Sequence, residues 1–93
     1  MKFAWDETKR RVNLAKHGLD FTDAPEVFNN PVLERLDTRC DYGEDRWIAV
    51  GISRNVLCIV LVYAVPNSKI IRIISFRKAD KYESQAYFRT FTD

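Results

Sequence analysis

The stretch IIRIISFRKAD, residues 70 to 80, places Arg72 and Arg77 among the bulky, β-branched residues of a buried strand. A guanidinium keeps its charge at any accessible pH, and burying one unpaired costs far more than the neighbouring isoleucines return. Its planar fork suits two partners, a carboxylate of its own chain or a phosphate. Alternation puts Arg72 on the face of Ile70 and Ile74, and gives Arg77 the parity of Ile71, Ile73 and Ser75. A regular strand therefore sends the two to opposite sides. Arg77 stands where the strand gives way to a helix, so parity does not fix its direction, and it can swing toward the groove of Arg72. Either arginine alone is as well explained by an ion pair tying the loop DYGED to the sheet. Two within six residues, beside a basic half of the chain, favour an anion site.

Acidic groups that could work with them are Glu44, Asp45 and Glu83. Glu44 suits a general base if it lies in the same groove, and is otherwise a solvated loop carboxylate. Glu83 is explained by helix capping. On the first helix Lys9, Asn13, Lys16 and His17 share an arc suited to a phosphate backbone, with His17 also favoured by the negative end of the helix dipole. Trp5, Trp47 and Tyr87 could stack on bases, though aromatics in so small a domain are more often core. No metal is expected: one histidine and two cysteines exclude the usual zinc spacing, and Asp41, Glu44 and Asp45 lack that of a calcium loop. Nothing calls for a cofactor. Cys58 reads as a small buried hydrophobe, and with Cys40 makes too few cysteines for a disulfide scaffold.

The elements that must position these residues follow from pattern. After the short apolar start KFAW, Asp6 caps a helix over about residues 6 to 17 that ends at Gly18, with Thr8, Val12 and Ala15 on one side. A short second helix fits TDAPEVFNN, where Pro25 must lie near the first turn. VLERL forms a strand and leads into an acidic loop. WIAVGIS, VLCIVLVYAV and KIIRIISF, separated by short turns, make an antiparallel meander whose middle run is covered on both faces. Asp80 and Glu83 form a capping box that opens a helix over KYESQAYFRTF. The fold is α+β, with N-terminal helices and a C-terminal helix packed on the sheet.

The chain has 93 residues, 46% hydrophobic and 30% charged, which excludes disorder and suits one domain over 1–93. Its longest apolar run is about half of the roughly 20 residues a membrane helix needs, and its first residues lack a secretory pattern, so the expected location is cytoplasmic, away from membranes. Net charge is +2 overall, but residues 1 to 46 carry eight Lys/Arg against ten Asp/Glu while residues 47 to 93 carry seven against three. That asymmetry is modest support for a basic face.

The set of residues resembles the BrnT family of bacterial toxins. The resemblance runs through FAWDETKRRVNLAKHGLDF, then Ala24, Val27 and Phe28, then Glu44, Asp45, Arg46, Val50 and Gly51, and finally IRIISFRKAD with Glu83 and Tyr87. It covers essentially the whole chain, and the pairing of WD--K---N--KHG with RIIS-RKA is its specific part. It implies a RelE-like ribonuclease that blocks translation by cutting RNA. It also implies a BrnA antitoxin with a ribbon-helix-helix part, forming a hetero-oligomer that reaches operator DNA only through the antitoxin. Metal-free RNA cleavage needs a base, cations for the phosphorane-like transition state and an acid. Arg72 and Arg77 fit the cations and Glu44 the base. Arg46, Lys16 or His17 fit phosphate contacts or the proton donor, and Lys9 an RNA contact. Two departures stand out: Phe76, where a smaller residue is usual and where bulk could narrow the groove or displace Arg77, and the turn SRNV, with less glycine. Phe76 supports the alternative of a degenerate module that binds antitoxin and regulates the operon without cutting RNA. The weak net charge argues against a stand-alone nucleic-acid-binding domain.

Overall fold

The structure, a computed structural model, describes residues 1–39, 41, 43–53 and 57–91. Along the chain come β1 (Lys2–Trp5), α1 (Glu7–His17), a 3-10 helix (Phe21–Asn29), β2 (Leu33–Leu36), β3 (Arg46–Ile52), β4 (Cys58–Asn67), β5 (Ile70–Lys78) and α2 (Lys81–Phe91). The strands form one sheet in the order β1-β5-β4-β3-β2. β3 to β5 are the expected antiparallel meander, β2 extends it by pairing antiparallel with β3, and the fold is α+β. The apolar start KFAW does more than the sequence suggested: as β1 it pairs parallel with β5, Lys2 opposite Ile70 through Trp5 opposite Ile73. Four residues are too few for a strand period to show. The expected turn at Arg54 and Asn55 lies outside the described residues, as does Cys40.

The sheet has two covered faces. One core joins Ile59, Leu61, Ile71, Ile73 and Phe76 to Phe21, Ala24 and Val27 of the 3-10 helix, while the other joins Ile48, Val50, Cys58 and Val60 to Tyr87 of α2. β4 supplies both, which explains its nearly unbroken apolar run. Burial among these side chains pushes the Cys58 thiol up from its ordinary pKa. Pro25 lies in the middle of the second helix rather than near its first turn, so one bond of that short 3-10 helix has no donor. Gly51 lets that helix approach, since a Cβ there would stand 2.8 Å from Val27 Cγ1.

β5 is not a regular strand. Val62 pairs with Ser75 but Tyr63 with Ile73, leaving Ile74 as an extra residue without a direct partner. Such a bulge reverses the alternation. Ile71 and Ile73 precede it and Phe76 follows it, yet all three side chains enter the same core. Arg72 and Arg77, of opposite parity, are thereby placed together on the other face. Arg77 is also within the strand, opposite Val60, rather than at its end.

The first helix holds the bulge. β1 stops pairing at Ile73, so the edge of β5 beyond it needs another partner. Asn13 supplies one: Phe76 N–H donates to Asn13 Oδ1 at 3.1 Å, and Asn13 Nδ2 donates to Phe76 O at 2.7 Å and Leu19 O at 3.0 Å. The side-chain amide thus continues the ladder that β1 begins. This turns α1 around relative to the expected apolar side: Val12 is 60% exposed, Thr8 and Ala15 are exposed too, and Asn13, at 7%, is the helix's buried residue. The caps fall as expected, with Lys9 N–H donating to Asp6 at 3.0 Å and Gly18 in the left-handed region at φ 71°.

Replacing Asn13 with alanine should cost roughly 2–6 kcal/mol, because two buried backbone groups lose their partners at about 1–3 kcal/mol each. Urea denaturation measures it. A loss no larger than that of exposed Val12→Ala would contradict the clamp.

Candidate active site

The face of the sheet that carries Arg72 and Arg77 is rich in guanidinium groups. Cross-strand register sets Arg35 of β2 opposite Ile48 of β3, and places Arg46 and Arg72 on either side of Ala64 of β4. Side chains paired directly across an antiparallel ladder share a face. An opening of about 240 Å³ on this face is lined by Arg35, Arg39, Arg46 and Arg77 together with Asp37 and Ser75.

Each guanidinium with a described partner is held by a carboxylate. Glu44 accepts a hydrogen bond from Arg72 Nη2, and its Oε2 lies 3.7 Å from Arg46 Nε, so one carboxylate bridges two arginines. Asp37 is buried and chelates Arg39, taking Nε at 2.9 Å and Nη2 at 2.8 Å. Glu83 chelates Arg77, taking Nη1 at 2.9 Å and Nη2 at 2.8 Å. The ion pairs that the sequence reading set against a functional role therefore exist, one of them from the expected loop. They do not separate the arginines, because both pairs lie on one side of the sheet.

Glu83 has two tasks. It completes the capping box, with Asp80 N–H donating to it and its own N–H donating to Asp80, both at 2.8 Å. It also fixes Arg77, whose remaining Nη1 hydrogen bond goes to the Lys78 carbonyl at 3.1 Å. A guanidinium has five donors. These contacts use Nη1 and Nη2, and among the described residues none takes a hydrogen bond from Arg77 Nε. The pair shows in both protonation equilibria: Arg77 holds the Glu83 carboxyl below its usual range, and Glu83 raises Arg77.

The residues on α1 gather next door. Lys9, Lys16 and His17 line a groove of about 270 Å³ whose floor includes Ile74 and Ser75. Those bulge residues also line the arginine opening, so the two depressions meet over the bulge. Asn13, expected to face phosphate, is the buried clamp. Phe76, expected to crowd the groove, is fully buried in the opposite core. Trp5 and Trp47 pack on that core as well, and Tyr87 is 4% exposed with its hydroxyl donating to the Pro31 carbonyl at 2.8 Å. Arg35, Asp37 and Arg39 were missed: only a register linking β2 to β3 brings them to the site. Asp45 is exposed. Among the described residues, no three His, Cys, Asp or Glu side chains form a metal-holding group.

Fold and site together define a small α+β domain with an arginine-lined opening on one sheet face. The family model described as "Ribonuclease toxin, BrnT, of type II toxin-antitoxin system" matches residues 5–83, and the chain belongs to that family. A solved structure, the 1.1 Å crystal structure of the Brucella abortus ribonuclease toxin BrnT, is similar at 34% identity and a TM-score of 0.67, covering 87% of this chain and 99% of that one. No curated protein sequence matches this chain. No helix among the described residues is long and apolar enough to cross a membrane.

Because Arg77 depresses the folded-state pKa of Glu83, the stability from this pair is present above the unfolded value and is lost as pH falls through the folded one. Glu83→Gln should destabilise by about 1 kcal/mol near neutral pH, a figure discounted for the partial exposure of the pair. The gap from wild type should close in acid, as followed by urea denaturation across pH. A gap that stays constant down to the acid limit would contradict the pair.

Proposed function

We propose that residues 1–93 act as one toxin domain that cuts RNA without a metal ion, on the face where Arg72 and Arg77 meet. The observation that carries this reading is their placement on one sheet face: Arg77 and Arg46 line one opening, and Glu44 links Arg46 to Arg72 beside it. Cleavage by the ribose requires that the 2'-hydroxyl lose a proton, that the phosphorane-like centre be stabilised, and that the 5'-oxygen leave protonated. Arg77, oriented by Glu83, offers its Nε side to a phosphate oxygen. Arg72, on the same strand, and Arg46, from across β4, add positive charge. Glu44 is the base. An entering phosphate competes for Arg72 and Arg46, and so frees the carboxylate to accept the 2'-proton. Lys9, Lys16 and His17 carry the RNA backbone away from the pocket, and His17 or Lys16 returns a proton to the leaving oxygen.

The biological consequences match the resemblance: cleavage inhibits translation in the cytoplasm, on a RelE-like scaffold. A BrnA-like ribbon-helix-helix antitoxin neutralises the toxin in a hetero-oligomer and links it to operator DNA. The degenerate-module alternative rested on Phe76, and a side chain buried on the far face of the sheet lends it no support.

Arg77→Ala should lower RNA cleavage by about 10²–10³, the loss typical of one transition-state donor, and should abolish growth arrest with the fold intact. Arg77→Lys should not restore it, since an ammonium lacks the planar fork. Glu44→Gln should lower the single-turnover cleavage rate by about 10²–10⁴, the loss typical of a general base. Cleavage should persist in a chelator. Full activity in Arg77→Ala, or abolition by chelation alone, would refute the mechanism.

A further inference from the structure

Beside the arginine opening lies a second depression of different chemistry. It is about 400 Å³, lies between α2 and strands β2 and β3, and is lined by the apolar Leu33, Ile48, Val50, Ala86 and Tyr82 together with Glu34, Arg35 and Glu83. Arg35 and Ile48 line both depressions, so the apolar groove and the arginine opening are continuous. Tyr82 is 78% exposed, the most exposed large hydrophobic side chain among the described residues. It precedes Glu83, which orients Arg77, so the first turn of α2 fixes the groove's aromatic wall and the pocket's cation together.

We infer that this groove is a nucleobase subsite, in which Tyr82 stacks on the base of a nucleotide whose phosphate occupies the arginine opening. The inference rests on the ribonuclease reading for the identity of the ligand. A molecule filling both depressions must join a flat apolar unit to an anion in one piece, and a nucleotide of single-stranded RNA does so. Every base offers a π-face to an aromatic side chain, and tyrosine gives contact area at little conformational cost. Five apolar side chains fall short of the roughly 800 Å² per partner of a stable protein interface, whereas they suffice for one base. The three candidates for stacking read from the sequence are packed in the cores. Tyr82 takes that role, and the order along the surface becomes base groove, arginine opening, then the basic groove of α1.

The test uses a short single-stranded RNA made uncleavable by 2'-O-methyl groups, with one abasic position moved along it, and fluorescence anisotropy as readout. The wild-type protein should lose affinity when the abasic position reaches one particular nucleotide. Tyr82→Ala should bind the intact oligonucleotide roughly 5- to 150-fold more weakly, the range for one lost stacking contact, and should be blind to that abasic position. Tyr82→Trp should behave as wild type. Because Tyr82 is exposed, these variants leave the cores untouched. If Tyr82→Ala matches wild type in affinity and in the abasic profile, the subsite is overturned. It is equally overturned if Tyr82→Ala binds RNA normally but escapes neutralisation by the antitoxin, which would assign the groove to the protein partner. Cleavage of ordinary RNA is scored separately. A wild-type protein that never cuts yet shows the Tyr82-dependent profile would end the ribonuclease reading and leave the subsite standing.

Discussion

One extra residue in β5 decides what this sheet can do. With regular alternation, Arg77 would follow the isoleucines into the helix-covered core, and Phe76 would point to the opposite face. The bulge at Ile74 exchanges them, sending phenylalanine inward and arginine outward beside Arg72. The bulge is in turn fixed by a side chain from another element. Asn13 pairs with both backbone groups of Phe76 where β1 no longer reaches, so the helix, the strand edge and the site share one constraint. A polar residue facing inward from a helix is usually expensive, and here its two donors and its acceptor are all used.

Gathering guanidinium groups on one face raises an electrostatic cost that the carboxylates offset. Among the described residues, Arg35, Arg39, Arg46, Arg72 and Arg77 meet Asp37, Glu44 and Glu83, a surplus of two positive charges on the face. Partly exposed ion pairs contribute little net stability. Their value lies in direction, since bidentate pairing fixes the plane of Arg39 and of Arg77. A surplus held in fixed orientation suits a phosphodiester whose charge grows during reaction, because the donors need no rearrangement when it does.

Much of this was legible in the sequence. The caps at Asp6, Gly18 and Asp80, the meander and the covered middle strand follow from local rules that the structure obeys. The arginine pair stood out by its conflict with a buried strand, and the structure brings the two to one face. What could not be read was non-local. Parity alone would send Arg77 to the wrong face, and the freedom read for it at the strand end has a different cause, a bulge that leaves no mark in residue types because Ile74 looks like any other strand isoleucine. Periodicity misassigned α1, since Asn13 faces inward to serve a strand edge 63 positions away. Arg35, Arg39 and Asp37 join the site only through the pairing of β2 with β3, and Tyr82 only through where α2 lands on that edge.

The account turns on three arginines, from two strands and both sides of a bulge, acting on one anion. Side-chain nitrogen-proton NMR of Arg46, Arg72 and Arg77 during titration with an uncleavable RNA oligonucleotide tests that directly. All three guanidinium signals should shift together with a single midpoint. Shifts at separate midpoints, or at one arginine while the other two stay still, would contradict it.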